Sequence, residues 1–301
     1  MSSQEPLFEC VPNFSEGRRP EVLEAIRRAA EGPGVQVLGL DHDPDHNRAV
    51  LTLLGGAEAV VDAAFRTIQA AVEHIDLRTH RGAHPRIGAA DVVPFVPWRH
   101  ADMNAAAELA RSLGKRVGGE LAVPVYLYAH AAALPDRVNL ADVRQGEFEG
   151  LKIRMAHYPP DYGPESPHPS AGAVAIGARP ILIAFNVFLN TDDMRVGRAV
   201  ARAVRGSSGG LVGVKALAMD TRTRGRVQVS MNLIDYQRTP LPRALELVRQ
   251  EAARFGVLVA ETELVGLMPF EAAAEALRHY LQMPHFGAAR VLEAASDQCW
   301  E

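Results

Sequence analysis

Arg78-Thr-His-Arg-Gly-Ala-His-Pro-Arg86 packs two histidines, three arginines and a proline into nine residues. It runs on through Ile87-Gly-Ala-Ala-Asp91 into the apolar run Val92-Val93-Pro94-Phe95-Val96. Imidazole exchanges protons near neutral pH, and guanidinium holds anions. Gly82 and Pro85 both oppose helix, so His80 and His84 should not share a helical face although they are four apart. Pro85 pushes His84 towards extended backbone, which presents its ring from a stiff segment. Arg81 and Arg86 flank it, and nearby cations disfavour imidazolium, so His84 is expected to stay neutral and able to accept a proton. A carboxylate partner would oppose this. One reading is a general base and acid with arginines holding an anionic substrate. The other is a solvated basic loop with two idle histidines, and composition alone leaves both open.

The second dense polar patch is Asp41-His-Asp-Pro-Asp-His-Asn-Arg48. A strand-to-strand turn collects such residues for its own reasons. Behind that reading stand a carboxylate partner for His84 and, last, a metal-dependent hydrolase centre shared with His80 and His84. No His-Glu-x-x-His or calcium-loop spacing supports the metal, and none is expected. Phosphate-loop and nucleophile-elbow motifs are also missing, and Gly206-Ser-Ser-Gly-Gly210 reads as a helix end.

The elements that must carry these patches can be read from periodicity. Phe8–Phe14 is a short strand, and Val22, Leu23, Ile26, Ala29 and Ala30 mark a helix ended by Gly32-Pro33-Gly34. Val35–Leu40 and Ala49–Leu54 are strands about the polar turn. Val60 to Ile75 is an amphipathic helix, and Asp91–Val96 a strand. A helix over Asp102–Gly118 and a strand at Val123–Tyr128 follow, after which the pattern fades from Ala129 to Pro169. The second half repeats the first: strand Ile181–Leu189, helix to Gly206, strands Val212–Met219 and Arg226–Leu233, helix Leu241–Phe255, strand Val257–Val265. Glu271–Tyr280 and Gly287–Ala295 close the chain as helices. Each half opens with a strand carrying an asparagine, Asn13 and Asn186. Two βαββαβ units follow: an α+β fold of two tandem ferredoxin-like subdomains, residues 1–178 and 179–301, whose antiparallel sheets are expected to line a substrate cleft.

Tyr158 to Ser170 holds five prolines, Pro159, Pro160, Pro164, Pro167 and Pro169, a density that forbids helix and most strand pairing. It is either a linker or a shaped binding loop, in which Gly163, Ser170 and Gly172 let a ligand reach backbone N–H groups.

Composition sets the outer bounds. With 301 residues, 48% hydrophobic and 23% charged, the chain is globular and of one or two domains. A net charge of −4 argues against nucleic acid. Cys10 and Cys299 have no paired spacing, no secretory signal is visible, and no apolar run could span a membrane. A cytoplasmic protein is expected.

At this point several motifs, taken in order, resemble the glutamate formimidoyltransferase family. They are Cys10-Val-Pro-Asn-Phe-Ser-Glu-Gly17, His84-Pro-Arg-Ile-Gly-Ala-Ala-Asp-Val-Val-Pro-Phe95, Pro124-Val-Tyr-Leu-Tyr128, Asp161-Tyr-Gly-Pro164, Ala184-Phe-Asn-Val187, Gln228-Val-Ser-Met-Asn-Leu233 and Leu264-Val-Gly-Leu-Met-Pro269. The resemblance implies transfer of a formimino group from N-formimidoyl-L-glutamate to N5 of tetrahydrofolate, a co-substrate, in histidine breakdown. Formyl transfer from N-formylglutamate is the sister alternative. The family's catalytic histidine falls on His84 and an accompanying carboxylate on Asp41. Its folate-contacting loop falls on Gly163, Pro164, Glu165, Ser166, Pro167, His168, Pro169, Ser170, Ala171 and Gly172, which turns the Pro-rich segment from linker to binding loop. Arg48, Arg86 or Lys215 would hold substrate carboxylates. A homodimer is implied, without the cyclodeaminase domain fused to animal members, so the product is expected to be processed elsewhere. The family often has Glu just before the histidine, where this chain has Ala83.

Overall fold

The computed structural model describes residues 5–221 and 224–294 and resolves two compact units, residues 1–180 and 181–301. Cys299 and the expected helix end at Ala295 lie outside the described residues.

The first unit begins with strands β1 (Leu7–Cys10) and β2 (Asn13–Phe14), one expected strand broken at Val11-Pro12. Helix α1 (Pro20–Ala30) follows; proline in its first turn loses no hydrogen bond, and its buried stripe is Val22, Leu23, Ile26 and Ala30. Strands β3 (Val35–Asp43) and β4 (Arg48–Gly56) form a hairpin about residues 44–47, so the polar patch is the turn expected, although β3 runs on through Asp41 to Asp43. Next come α2 (Ala57–His74), β5 (Ala90–Arg99), α3 (Met103–Glu120) and β6 (Val125–Ala129). Asp102 caps α3 by accepting the Ala105 N–H at 2.8 Å.

β1 and β2 both pair with β4 and β5, and β3 pairs with β4, which is the ferredoxin-like order. The sheet does not stop there. A further strand, β7 (Val174–Ala178), lies between β5 and β6 and runs parallel to both, so this sheet is mixed and seven-stranded rather than antiparallel. The faded stretch contains two helices, α4 (Leu140–Val143) and α5 (Glu147–Met155). A crossover that steps outward from β5 to β6 and then inward to β7 must change faces to keep one hand. Accordingly α3 packs beside α2 and joins the core that α1 and α2 share, through Ala106, Ala110, Leu113 and Val117. Val143, Leu151 and Met155 pack instead on Val92, Tyr126, Tyr128 and Ala175 of the other face.

The second unit keeps the simpler plan. Strands β8 (Ile183–Leu189), β9 (Val214–Thr221), β10 (Arg226–Leu233) and β11 (Val259–Val265) form an antiparallel sheet in the order β11-β8-β10-β9. Helices α6 (Met194–Val204) and α7 (Leu241–Ala253) share a core with Val187, Leu189, Val229 and Leu233, and α8 (Phe270–Leu281) packs beside α7. The expected last helix is a single turn at Ala288–Arg290, with helix resuming at residue 292.

Candidate active site

Residues 75–89, between α2 and β5, are not helical, so His80 and His84 do different work. Gly82 lets this loop lie on the β3–β4 turn: a Cβ there would stand 2.2 Å from the His46 carbonyl oxygen. His80 is buried and held at both nitrogens, Nε2 at 2.9 Å from the Asn47 carbonyl and Nδ1 accepting from Arg86 Nε at 3.2 Å. A carbonyl only accepts, so Nε2 carries the proton, and His80 is a strut. Asn47, in the left-handed region at φ 48°, accepts from the Gly17 N–H and donates to the Arg81 carbonyl.

His84 is only partly buried, and its Nδ1 lies 2.8 Å from the Pro85 carbonyl oxygen. By the same argument Nδ1 bears the proton, and Nε2 presents a lone pair. Burial, then the charges of Arg48 and Arg144, then His46, hold the ring well below the usual histidine range. The expected neutrality therefore holds for a different reason. Arg81 is exposed and donates to its own loop's carbonyls, while Arg86 turns away to Glu147 and Glu149 at 3.1 and 2.7 Å. That commitment leaves Arg86 poorly placed to hold a substrate carboxylate.

Arg48 opens β4 beneath this loop. Its guanidinium donates to the Asn13 side-chain oxygen and makes no ion pair among the described residues. Burial and the neighbouring Arg144 depress its pKa to about 10, against the pull of Asp91 and Asp43. Arg144, just past α4, contacts Asp91 Oδ2, and Asp91 Oδ1 accepts the Ile87 N–H at 2.8 Å. One carboxylate thus fastens both the histidine loop and Arg144. A cavity of about 10 Å³, room for about one water, is lined by Phe14, Ser15, His46, Asn47, Arg48, His80, His84, Arg86 and Asp91. An open depression of about 460 Å³ lies beyond His80, Arg86 and Glu147.

The remaining expected residues fall as follows. Asp41 is exposed on β3, opposite Val50, and does not line the small cavity; the carboxylate that does is Asp91. Lys215 is exposed on β9 of the second unit, opposite Asn232. Among the described residues no three His, Cys, Asp or Glu side chains gather as metal ligands. The Pro-rich segment is pinned at both ends. Asp161 pairs with Arg137 at 2.5 Å and accepts the Leu127 N–H, and Val125 donates to the Tyr162 carbonyl. At the other end Ala171 accepts from Ala89, Ser170 accepts from Leu77, and His168 Nδ1 accepts from Ala171. Ala171 and Gly172 are buried, so their backbone serves the fold, whereas Gly163, Pro164, Glu165 and Ser166 face solvent and Pro167, His168 and Ser170 are half-buried. Pro169 is exposed. Periodicity and motif spacing do not mark Arg144, Asp91 and His46 as site residues. Asp91 ended the quoted histidine motif and could have been found there, while Arg144 sits where periodicity fades.

The first of the two α+β units thus holds a neutral imidazole on which the charges of Arg48 and Arg144 act. Both units fall within a single class of transferase domain. Residues 7–179 match the formiminotransferase domain, N-terminal subdomain, and residues 184–290 the formiminotransferase domain. The chain is 51% identical to the glutamate formimidoyltransferase of Thermoplasma acidophilum over 97% of its own length and 98% of that protein's. With the Streptococcus pyogenes glutamate formimidoyltransferase it shares 40% identity over 93% and 95%. The rat formimidoyltransferase-cyclodeaminase is 41% identical over 91% of this chain and 52% of its own length. The chain belongs to the formiminotransferase family.

Proposed function

We propose that this protein transfers the formimino group of N-formimidoyl-L-glutamate to N5 of tetrahydrofolate, releasing L-glutamate. The observation that carries the reading is the contact of His84 Nδ1 with the Pro85 carbonyl oxygen, which assigns the ring proton to Nδ1 and leaves Nε2 to accept one, on a ring that burial and the charges of Arg48 and Arg144 hold neutral. In this scheme the N5 lone pair attacks the formimino carbon, and His84 Nε2 takes the N5 proton. As the tetrahedral centre collapses, the carbon–nitrogen bond to glutamate breaks and the imidazolium returns its proton to the departing nitrogen. Bonds and charge balance without any other reactant.

Of Arg48, Arg86 and Lys215, Arg48 is the one that lines the same cavity as His84 and makes no ion pair among the described residues, which favours a substrate carboxylate there. The exposed stretch Gly163–Ser166 is assigned to the folate, and Gly163 holds φ at 85°, where only glycine sits without strain. Asp41, exposed on β3, is kept in the reading as the carboxylate that accompanies His84. A homodimer acting in the cytoplasm completes it, supported by the exposed Phe270, Leu277, Tyr280 and Leu281 of α8 and by the free thiol of Cys10.

His84→Ala tests the proposal. Turnover should fall about a hundredfold or more while tetrahydrofolate binding, measured by titration calorimetry, persists. Near-normal turnover would remove the histidine from the mechanism. Assays with the formimino and formyl donors side by side separate this reaction from its sister.

A further inference from the structure

We propose that Arg144 and Arg48 form a two-guanidinium clasp for the α-carboxylate of the donor, set beside His84. The inference rests on the transfer reaction proposed above and adds which part of the donor is held, and by what. Arg48, His84 and Asp91 line the same small cavity and Arg144 contacts Asp91, and both guanidiniums act electrostatically on the His84 ring. Each has a buried Nε–H with no hydrogen-bond partner. Arg48 has no ion pair among the described residues, and Arg144 has the single carboxylate contact to Asp91 Oδ2. The nearby acids are engaged elsewhere as well: Asp91 Oδ1 with the Ile87 N–H and Asp43 Oδ1 with the His46 N–H. Two donors buried in this way call for an acceptor with several lone pairs, which a carboxylate supplies.

The donor's own chemistry selects the carboxylate. In N-formimidoylglutamate two atoms separate the reacting carbon from the α-carboxyl carbon, and four separate it from the side-chain carboxyl carbon. A clasp next to the proton-accepting ring therefore meets the nearer one. Arg86 is excluded from this role by its pairs with Glu147 and Glu149.

The test compares N-formimidoyl-L-glutamate with N-formimidoyl-4-aminobutyrate, which lacks the α-carboxylate, in the unmodified protein and in Arg144→Met and Arg144→Lys. Losing a charged hydrogen-bond donor should raise KM for the glutamate donor about tenfold or more in R144M. KM for the aminobutyrate donor and for tetrahydrofolate should each stay within about twofold, with R144K intermediate. An equal rise for both donors, or no rise, overturns the clasp. Should R144M fail to fold, a crystal of the unmodified protein with L-glutamate decides: the α-carboxylate must lie within hydrogen-bond distance of both guanidiniums, and any other position refutes the assignment. If the unmodified protein transfers from neither donor, the reaction is wrong, and the L-glutamate complex alone judges the clasp.

Discussion

Asp91→Asn removes one charge and little volume from the point where the histidine loop, β5 and Arg144 meet. The Asp91 side chain is 4% exposed and that of Arg144 15%, so solvent screens their interaction little. Asparagine offers one acceptor oxygen where the carboxylate serves both the Ile87 N–H and the Arg144 guanidinium. Its amide hydrogens would point at one of these donors. Breaking such a buried pair from one side costs about 3 kcal/mol. For a unit of 180 residues, at about 2–4 °C per kcal/mol, the melting temperature should fall by about 6–12 °C. Differential scanning calorimetry measures it. The double variant D91N/R144M should be less destabilised than the sum of the singles by about 1 kcal/mol or more, because the second change removes a charge already stranded. Strict additivity, or a shift under about 2 °C, would show that Asp91 does not fasten the loop through its charge.

Two further outcomes follow from the same region. Burial holds His84, His80 and His168 below the ordinary histidine range. The unfolded chain therefore binds protons near pH 6.5 that the folded chain refuses, so their contribution is fully present above about pH 6.5 and is lost as the pH falls through it. Urea midpoints should drop between pH 7.5 and 5.5, less steeply in His84→Gln; an unchanged slope in that variant contradicts the burial of the ring. Gly172 sits at φ 70°, and a Cβ there would approach the Ile87 carbonyl oxygen to 2.2 Å. Gly172→Ala should destabilise by about 2–3 kcal/mol and weaken transfer, whereas Gly150→Ala, in α5 with nothing within 4 Å of the added methyl, should be neutral or slightly stabilising.

Much of this architecture was legible because two periods, 3.6 and 2, alternate clearly through most of both halves. The stretch from Ala129 to Ala178 was not. α4 is four residues long, too short to show a period, and α5 spends Glu147 and Glu149 on Arg86 rather than on an amphipathic pattern. β7 is five residues long, buried throughout, and follows the proline cluster, so nothing alternates. His84 was found because a proline and two arginines crowd it. The arginines named there were the wrong cause, since neighbours in sequence are not neighbours in space: the cations that act on the ring come from β4 and from beyond α4, and Asp91 gains its role through Arg144.

The ties that secure the histidine loop come late. Leu77 bonds to Ser170, Ala89 to Ala171, and Gly88 bridges Gly172. A chain emerging from the ribosome has therefore made His84 long before it has made the residues that anchor its loop, and pairing β7 into an already flanked position adds a slow, non-local closure. Nascent chains arrested before that strand should carry the ring on an untethered strap, open to proteases, and become resistant only once residue 178 is free to dock.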